Sequence, residues 1–188
     1  AYSSMLHGSG ALTDVQYLPQ IALTAVNSLF QFEALGGGAE APDEPGILRK
    51  TSGGNAWSAS GRSQTVISPL HAESKGVEFF CSHVSKRLTV GLTQHDTLRS
   101  RSDIRFAMYC NAGYIDILEH GVGIKTRVSP YNFNTRLLIA FDGTYVKYYV
   151  DGNVVWTSLK TVPDVLYVDV ALHTIGAEAR EVRARGAA

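Results

Sequence analysis

Between Arg136 and Thr157 the chain reads RLLIAF, TYVKYYV and VVWT, interrupted by Asp142-Gly143 and by Asp151-Gly152-Asn153. An Asx-Gly pair supplies the positive φ that tight hairpin turns require, because glycine has no Cβ to clash. Two such turns around one β-rich run predict a three-stranded antiparallel meander over 136–157. The same grammar, short β-type runs broken by turn residues, extends over most of the chain. Further strands are expected at 47–51, 64–68, 77–84, 88–92, 104–110, 114–118 and 166–173. In SLFQFEAL (28–35) Phe30 and Phe32 share one face and Gln31 and Glu33 the other. The Gly- and Pro-rich stretch 36–46 reads as a loop. Residues 12–27 have no clean period and are compatible with a short helix or a first strand. No helix of ordinary length is expected after residue 36, and many short strands of this kind stack as a two-sheet sandwich or jelly roll.

Alternation then sorts side chains between a dry and a wet side. Ile104, Phe106 and Met108 oppose Arg105, Ala107 and Tyr109. Ile115 and Ile117 oppose Tyr114, Asp116 and Leu118. Val146, Tyr148 and Val150 oppose Tyr145, Lys147 and Tyr149. The expected wet face thus carries Arg105, Tyr109, Tyr114, Asp116, Lys147 and Tyr149, rings with polar handles beside charged groups. Trp57, in the small-residue loop GGNAWSASG, is either a stacking platform or a lid on the end of the sandwich. Trp156, inside the meander, is expected in or beside the core.

Length and charge narrow the function. At 188 residues the chain suits one domain with its own core, placed at 28–182, with 1–27 as an extension or first element and 183–188 as a tail. The formal net charge is zero, and only Arg180, Arg183 and Arg185 form a local basic cluster, read as a solvated tail. Nucleic acid is therefore not an expected partner. No run approaches the ~20 apolar residues that span a bilayer, so no membrane insertion is expected. The first residues show no signal-peptide pattern. Cys81 and Cys110 fall in strands that, if paired with each other, hold the thiols far apart at about 3.3 Å per residue. Two free, buried thiols are expected, leaning toward a reducing compartment.

The order of these pieces resembles the concanavalin A-like lectin/glucanase sandwich, in a divergent branch found as modules of larger proteins. The resemblance rests on ILRKTSGGNAWSASGRSQTVI (47–67), GVEFFC (76–81), VGL (90–92) and DIRFAMYCNAGYIDILEHG (103–121). The most specific block is YVKYYVDGNVVWTSLKTVPDVLYVDVALHTIGA (145–177). Ser58 and Ser60 stand where the family pattern has Asn and Gly. The resemblance implies an all-β jelly roll and a sugar-binding or adhesive role, and leans toward an extracellular setting. Glucanases of the superfamily carry a Glu-x-Asp-x-(x)-Glu run, to which Tyr114-Ile115-Asp116-Ile117-Leu118-Glu119 corresponds, with Tyr114 at the nucleophile position. A retaining glycosidase needs two carboxyl groups about 5 Å apart. The first is missing here, and without a bulge Asp116 and Glu119 point to opposite faces.

Other chemistries find little footing. There is no Gly-x-Ser-x-Gly elbow, no His-Glu-x-x-His and no Cys-x-x-Cys, so no catalytic residue, metal or cofactor is assigned. Gln94, His95 and Asp96 read as a solvated loop cluster. Asp142 and Asp151 are explained by turn chemistry rather than calcium. Gly36-Gly37-Gly38 leads into an acidic stretch unsuited to phosphate. Three readings remain in order: a non-catalytic module for a glycan or similar extended polar ligand, a protein-docking module of a larger assembly, and a degenerate glycoside hydrolase.

Overall fold

The computed structural model describes residues 21–94 and 101–186. It is a sandwich of two seven-stranded antiparallel sheets. The first sheet runs, in spatial order, β1 (Phe32–Ala34), β4 (Ala59–Ile67), β13 (Leu166–Leu172), β6 (Leu88–Thr93), β7 (Phe106–Asn111), β8 (Tyr114–Glu119) and β9 (Val122–Pro130). The second runs β12 (Asn153–Thr157), β11 (Val146–Val150), β10 (Leu137–Phe141), β5 (Gly76–Cys81), β14 (Glu178–Arg185), β3 (Leu48–Lys50) and β2 (Ala39–Glu40). A single 3-10 turn, Arg101–Asp103, is the only helical element among the described residues, and none there could cross a membrane.

The meander forms as its turns dictate. β10, β11 and β12 are consecutive neighbours, with Leu138 opposite Tyr149 and Tyr148 opposite Trp156. At the first hairpin the Asp142 carboxylate accepts the amides of Thr144 and Tyr145 at 2.8 and 2.7 Å. At the second, Asp151 accepts the Arg136 amide at 2.9 Å. Between the sheets lies one core, with Phe30, Phe79, Phe106, Met108, Leu137, Tyr148 and Val168 buried in it. Truncating a ring such as Phe79 or Phe106 to alanine removes about 3–5 kcal/mol, because a packed interior relaxes little into the hole. Trp156 packs against this core.

Several expectations change. Strands β9 and β14, and the two-residue β2 inside 36–46, were not anticipated. Arg180, Arg183 and Arg185 are not a solvated tail: β14 continues to Arg185 and sits between β5 and β3, past the boundary expected at 182. Ile104 precedes β7 and joins an outer apolar cluster with Ala107 and Tyr109, rather than following Phe106 and Met108 inward. The largest correction concerns the cysteines. Cys81 ends β5 in the second sheet and Cys110 lies on β7 in the first, so the two strands face each other across the core instead of pairing edge to edge. Their Cα atoms are 6.9 Å apart and the sulfurs form a disulfide that ties sheet to sheet. The lean toward a reducing compartment, which rested on free thiols, falls with it.

Candidate functional site

Within β7, β8 and β11 the side chains alternate as expected, but alternation cannot say which sheet a strand joins. Tyr109 and Asp116 are cross-strand partners on the outside of the first sheet. Lys147 and Tyr149 lie on β11, on the outside of the second sheet. The single wet face expected from sequence is therefore two faces pointing away from each other.

On the first face the predicted groups are largely engaged by their own neighbours. Lys50, fully buried, donates from Nζ to the carbonyls of Ala56 at 2.7 Å and His173 at 3.1 Å, and to Ser58 Oγ at 3.3 Å. Burial lowers its pKa. This clamp draws the loop before β4 over the sheet and lays Trp57 against Ile104, Ala107, Tyr109, Leu118 and Ala171. The Trp57 ring meets Tyr109 edge-on at 5.4 Å and His173 at 5.2 Å, and the Arg101 guanidinium sits 4.7 Å above it. His173 has its pKa lowered by burial and by Arg87, Lys50 and Arg101, which favours neutral imidazole beside the ring. Trp57 is thus a lid whose ring is already occupied. Asp116 accepts from Asn111 Nδ2 at 3.0 Å and from the Arg127 amide at 2.7 Å, holding Arg127 in a bulge at φ +51°. The Arg127 guanidinium in turn covers the Tyr114 ring at 3.8 Å. Arg105 reaches away from this face to the carbonyl and hydroxyl of Thr161, at 2.8 and 3.2 Å.

The carboxylates of the glucanase-like run diverge. Asp116 faces out, whereas Glu119 points into the sandwich, where it accepts the Tyr148 phenol at 3.2 Å and faces Lys160 at 3.8 Å. Burial and the Glu119 charge raise the Tyr148 pKa strongly, so that phenol stays a donor. Among the described residues no cluster of three His, Cys, Asp or Glu could hold a metal ion. His95 and Asp96 lie outside the described residues.

The second face is built differently. A cross-strand row runs Tyr149, Leu138, Glu78, Arg183 over β11, β10, β5 and β14, all on the outer side. It borders a cleft of about 530 Å³ lined by Tyr149, Leu138, Glu78, Arg136, Arg185 and Asn27. Glu78 interrupts an otherwise apolar strand and is itself buried, so its charge needs partners. Arg185 supplies a fork, Nε to Oε2 at 3.0 Å and Nη2 to Oε1 at 3.1 Å, and its Nη1 donates to Asn27 Oδ1. Arg136 is half exposed and touches Glu78 only through Nε at 3.9 Å. Burial raises the Tyr149 pKa and keeps its hydroxyl protonated. Beside this cleft Lys147 pairs with Asp142 at 2.6 Å, which with the Tyr145 and Thr144 amides holds that carboxyl well below the usual range. Of the sequence-predicted residues only Tyr149 enters the cleft. Others were findable: Glu78 by its charge inside GVEFFC, and Arg185 by the alternation of VRAR.

No protein-family model matches the chain, and no curated protein sequence does. Solved structures do match in shape. A human SPRY domain superposes with a TM-score of 0.56 at 18% identity, covering 81% of this chain and 96% of its own. The carbohydrate binding module CBM66 from Bacillus subtilis gives 0.53 at 13% identity, covering 84% and 94%. The TRIM65 PSpry domain gives 0.55 at 9%, covering 81% and 89%. The fold is the concanavalin A-like jelly roll. Identities this low speak to the fold alone. Within this jelly roll, the outer cleft of the second sheet is an open, partly polar recess, whereas the patch under Trp57 on the first is covered.

Proposed function

We propose that this jelly roll is a non-catalytic binding module that takes an extended glycan across the outside of its second sheet. The observation that carries the reading is the row of Tyr149 and Leu138 beside Glu78 and Arg183, opening into a cleft with Arg136, Arg185 and Asn27. An apolar floor with a few directed polar groups is what sugar binding requires: the ring faces pack on the floor and the hydroxyls find donors and acceptors. A non-catalytic role is supported by the opposed directions of Asp116 and Glu119 and by the bonds that already occupy both. A glycan array with the isolated domain tests it. Binding should vanish in Leu138→Trp, which fills the cleft without leaving a cavity, and persist in Trp57→Ala. Hits that survive Leu138→Trp but disappear in Trp57→Ala would move the site to the first sheet and refute the reading.

Protein docking is the second reading. It is favoured by two exposed apolar residues: Val122, 61% exposed and the register partner of Glu119, and Leu159, 85% exposed and next to Lys160, which faces Glu119. Silence on the array together with a fixed protein partner that Val122→Asp displaces would favour it.

A further inference from the structure

Resting on that reading, we infer that the glycan is acidic, and that Arg136 is the residue that meets its anionic substituent. The bidentate bond from Arg185 already neutralises the Glu78 carboxylate. Arg136 is left with a guanidinium whose closest acid is 3.9 Å away, on an oxygen that Arg185 Nε already contacts at 3.0 Å. Arg183, the cross-strand neighbour of Glu78, lines a separate recess with Glu44, Glu178 and Glu181 and adds nothing to this balance. Among the described residues lining the recess, two arginines, Arg136 and Arg185, around one carboxylate leave an excess of one positive charge. The protein itself carries no net charge, so this is local accumulation and not a consequence of composition. A neutral sugar would leave that excess unanswered in a partly desolvated recess, which is unfavourable. A carboxylate or sulfate on a sugar would answer it.

Placement favours the same conclusion. The Arg136 backbone amide is fixed by the Asp151 carboxylate at the β11–β12 hairpin, so the root of the side chain is anchored while its head remains half exposed at the cleft. A planar guanidinium held at its root offers two parallel donors to a carboxylate, a geometry lysine cannot reproduce. Lys147, on the same sheet face, is committed to Asp142.

The experiment is calorimetric titration of the domain with oligomers of polygalacturonate, alginate and heparin. Each is run beside its neutral counterpart, carboxyl-reduced or desulfated, with a polyglutamate peptide as a further arm. At least one acidic oligomer should bind, its neutral counterpart should bind at least about tenfold more weakly, and Arg136→Gln should lose a similar factor with an unchanged melting temperature. Arg136→Lys should recover only part of the loss. The uronate and sulfated arms identify which oxyanion is read. Binding should weaken as salt rises from about 0.05 to 0.5 M, where the screening length shortens several-fold. Neutral oligomers binding as tightly as acidic ones, undisturbed by Arg136→Gln but lost in Leu138→Trp, would overturn the acidic assignment and leave the glycan reading standing. Polyglutamate binding with no acidic oligomer binding would overturn the glycan assignment in favour of an acidic protein segment. No binding by any oligomer or peptide would overturn both.

Discussion

On the outside of the first sheet, Trp57 lies over Ala107, Leu118 and Ala171 with Arg101 stacked on its ring. On the outside of the second, Tyr149 and Leu138 border a recess in which Arg136 approaches Glu78 at 3.9 Å. Both faces pair an aromatic side chain with an arginine, yet one is closed and the other open. The cause lies in the connections. The loop before β4 is long enough to fold back, and Lys50 fastens it to the end of β13 through three bonds. The β10–β11 and β11–β12 hairpins turn tightly on their own aspartates and leave the adjoining face uncovered. An aromatic beside an arginine is therefore no evidence of a binding site until the loops that cover it are known. Buried carboxylates show the same contrast. Glu78 is held by a bidentate arginine, whereas burial, with a further contribution from Asp103, pushes the Asp169 carboxyl up to about 7 against the opposing pull of Arg62.

The largest expected effect treats both faces alike. Cys81→Ala with Cys110→Ala removes the tie between the sheets, and a closure spanning 29 residues contributes about 3.5 kcal/mol by chain entropy. Urea denaturation should show that loss while glycan affinity at low temperature stays put. An affinity that fell in step with stability would mean the cleft depends on the covalent link. Next comes Lys50→Met, which strips the part-buried carbonyls of Ala56 and His173 of a charged donor and should remove about 3 kcal/mol. Trp57 fluorescence should shift to the red as the lid loosens, and the second face should bind as before. A glycan affinity that changed with Lys50 would erase the distinction between the faces.

Asp169 gives a smaller effect with a definite sign. Its folded pKa, about 7, lies above the unfolded carboxylate value, so between pH ~4 and 7 the native state binds more protons than the unfolded state. Stability should fall as pH rises through that window, and the penalty should be complete above it. Asp169→Asn should flatten this part of the curve and add about 2 kcal/mol at pH 8, read by denaturation at several pH values. A variant that is less stable at pH 8 would show that the ionised carboxylate has partners strong enough to hold it. The smallest effect is Trp57→Ala, about 1.5 kcal/mol in stability from lost ring contacts and none in affinity.

Much of this architecture was legible in the residues. Asp142-Gly143 and Asp151-Gly152 place the meander, and Phe30/Phe32 and Val146/Tyr148 point inward as their spacing requires. What period two does not encode is the sheet a strand joins. That one missing fact separated Lys147 and Tyr149 from Tyr109 and Asp116, and hid the meeting of Cys81 with Cys110 across the core. Arg105 escaped for a related reason. β7 begins at Phe106, so the alternation extrapolated back to residues 104 and 105 no longer applies there. The arginines of the cleft were overlooked because a charged chain end usually remains in solvent, whereas here Val182 and Ala184 alternate with them and anchor β14 in the sheet.

The most direct test of the contrast between the faces is an amide chemical-shift titration of the labelled domain with whichever oligosaccharide binds. Shifts should concentrate on β5, β10, β11 and β14 around Glu78, Leu138, Tyr149 and Arg183, with the strands under Trp57 unmoved. Perturbations centred on Trp57, Tyr109 and Ala171, with the second sheet silent, would contradict the account.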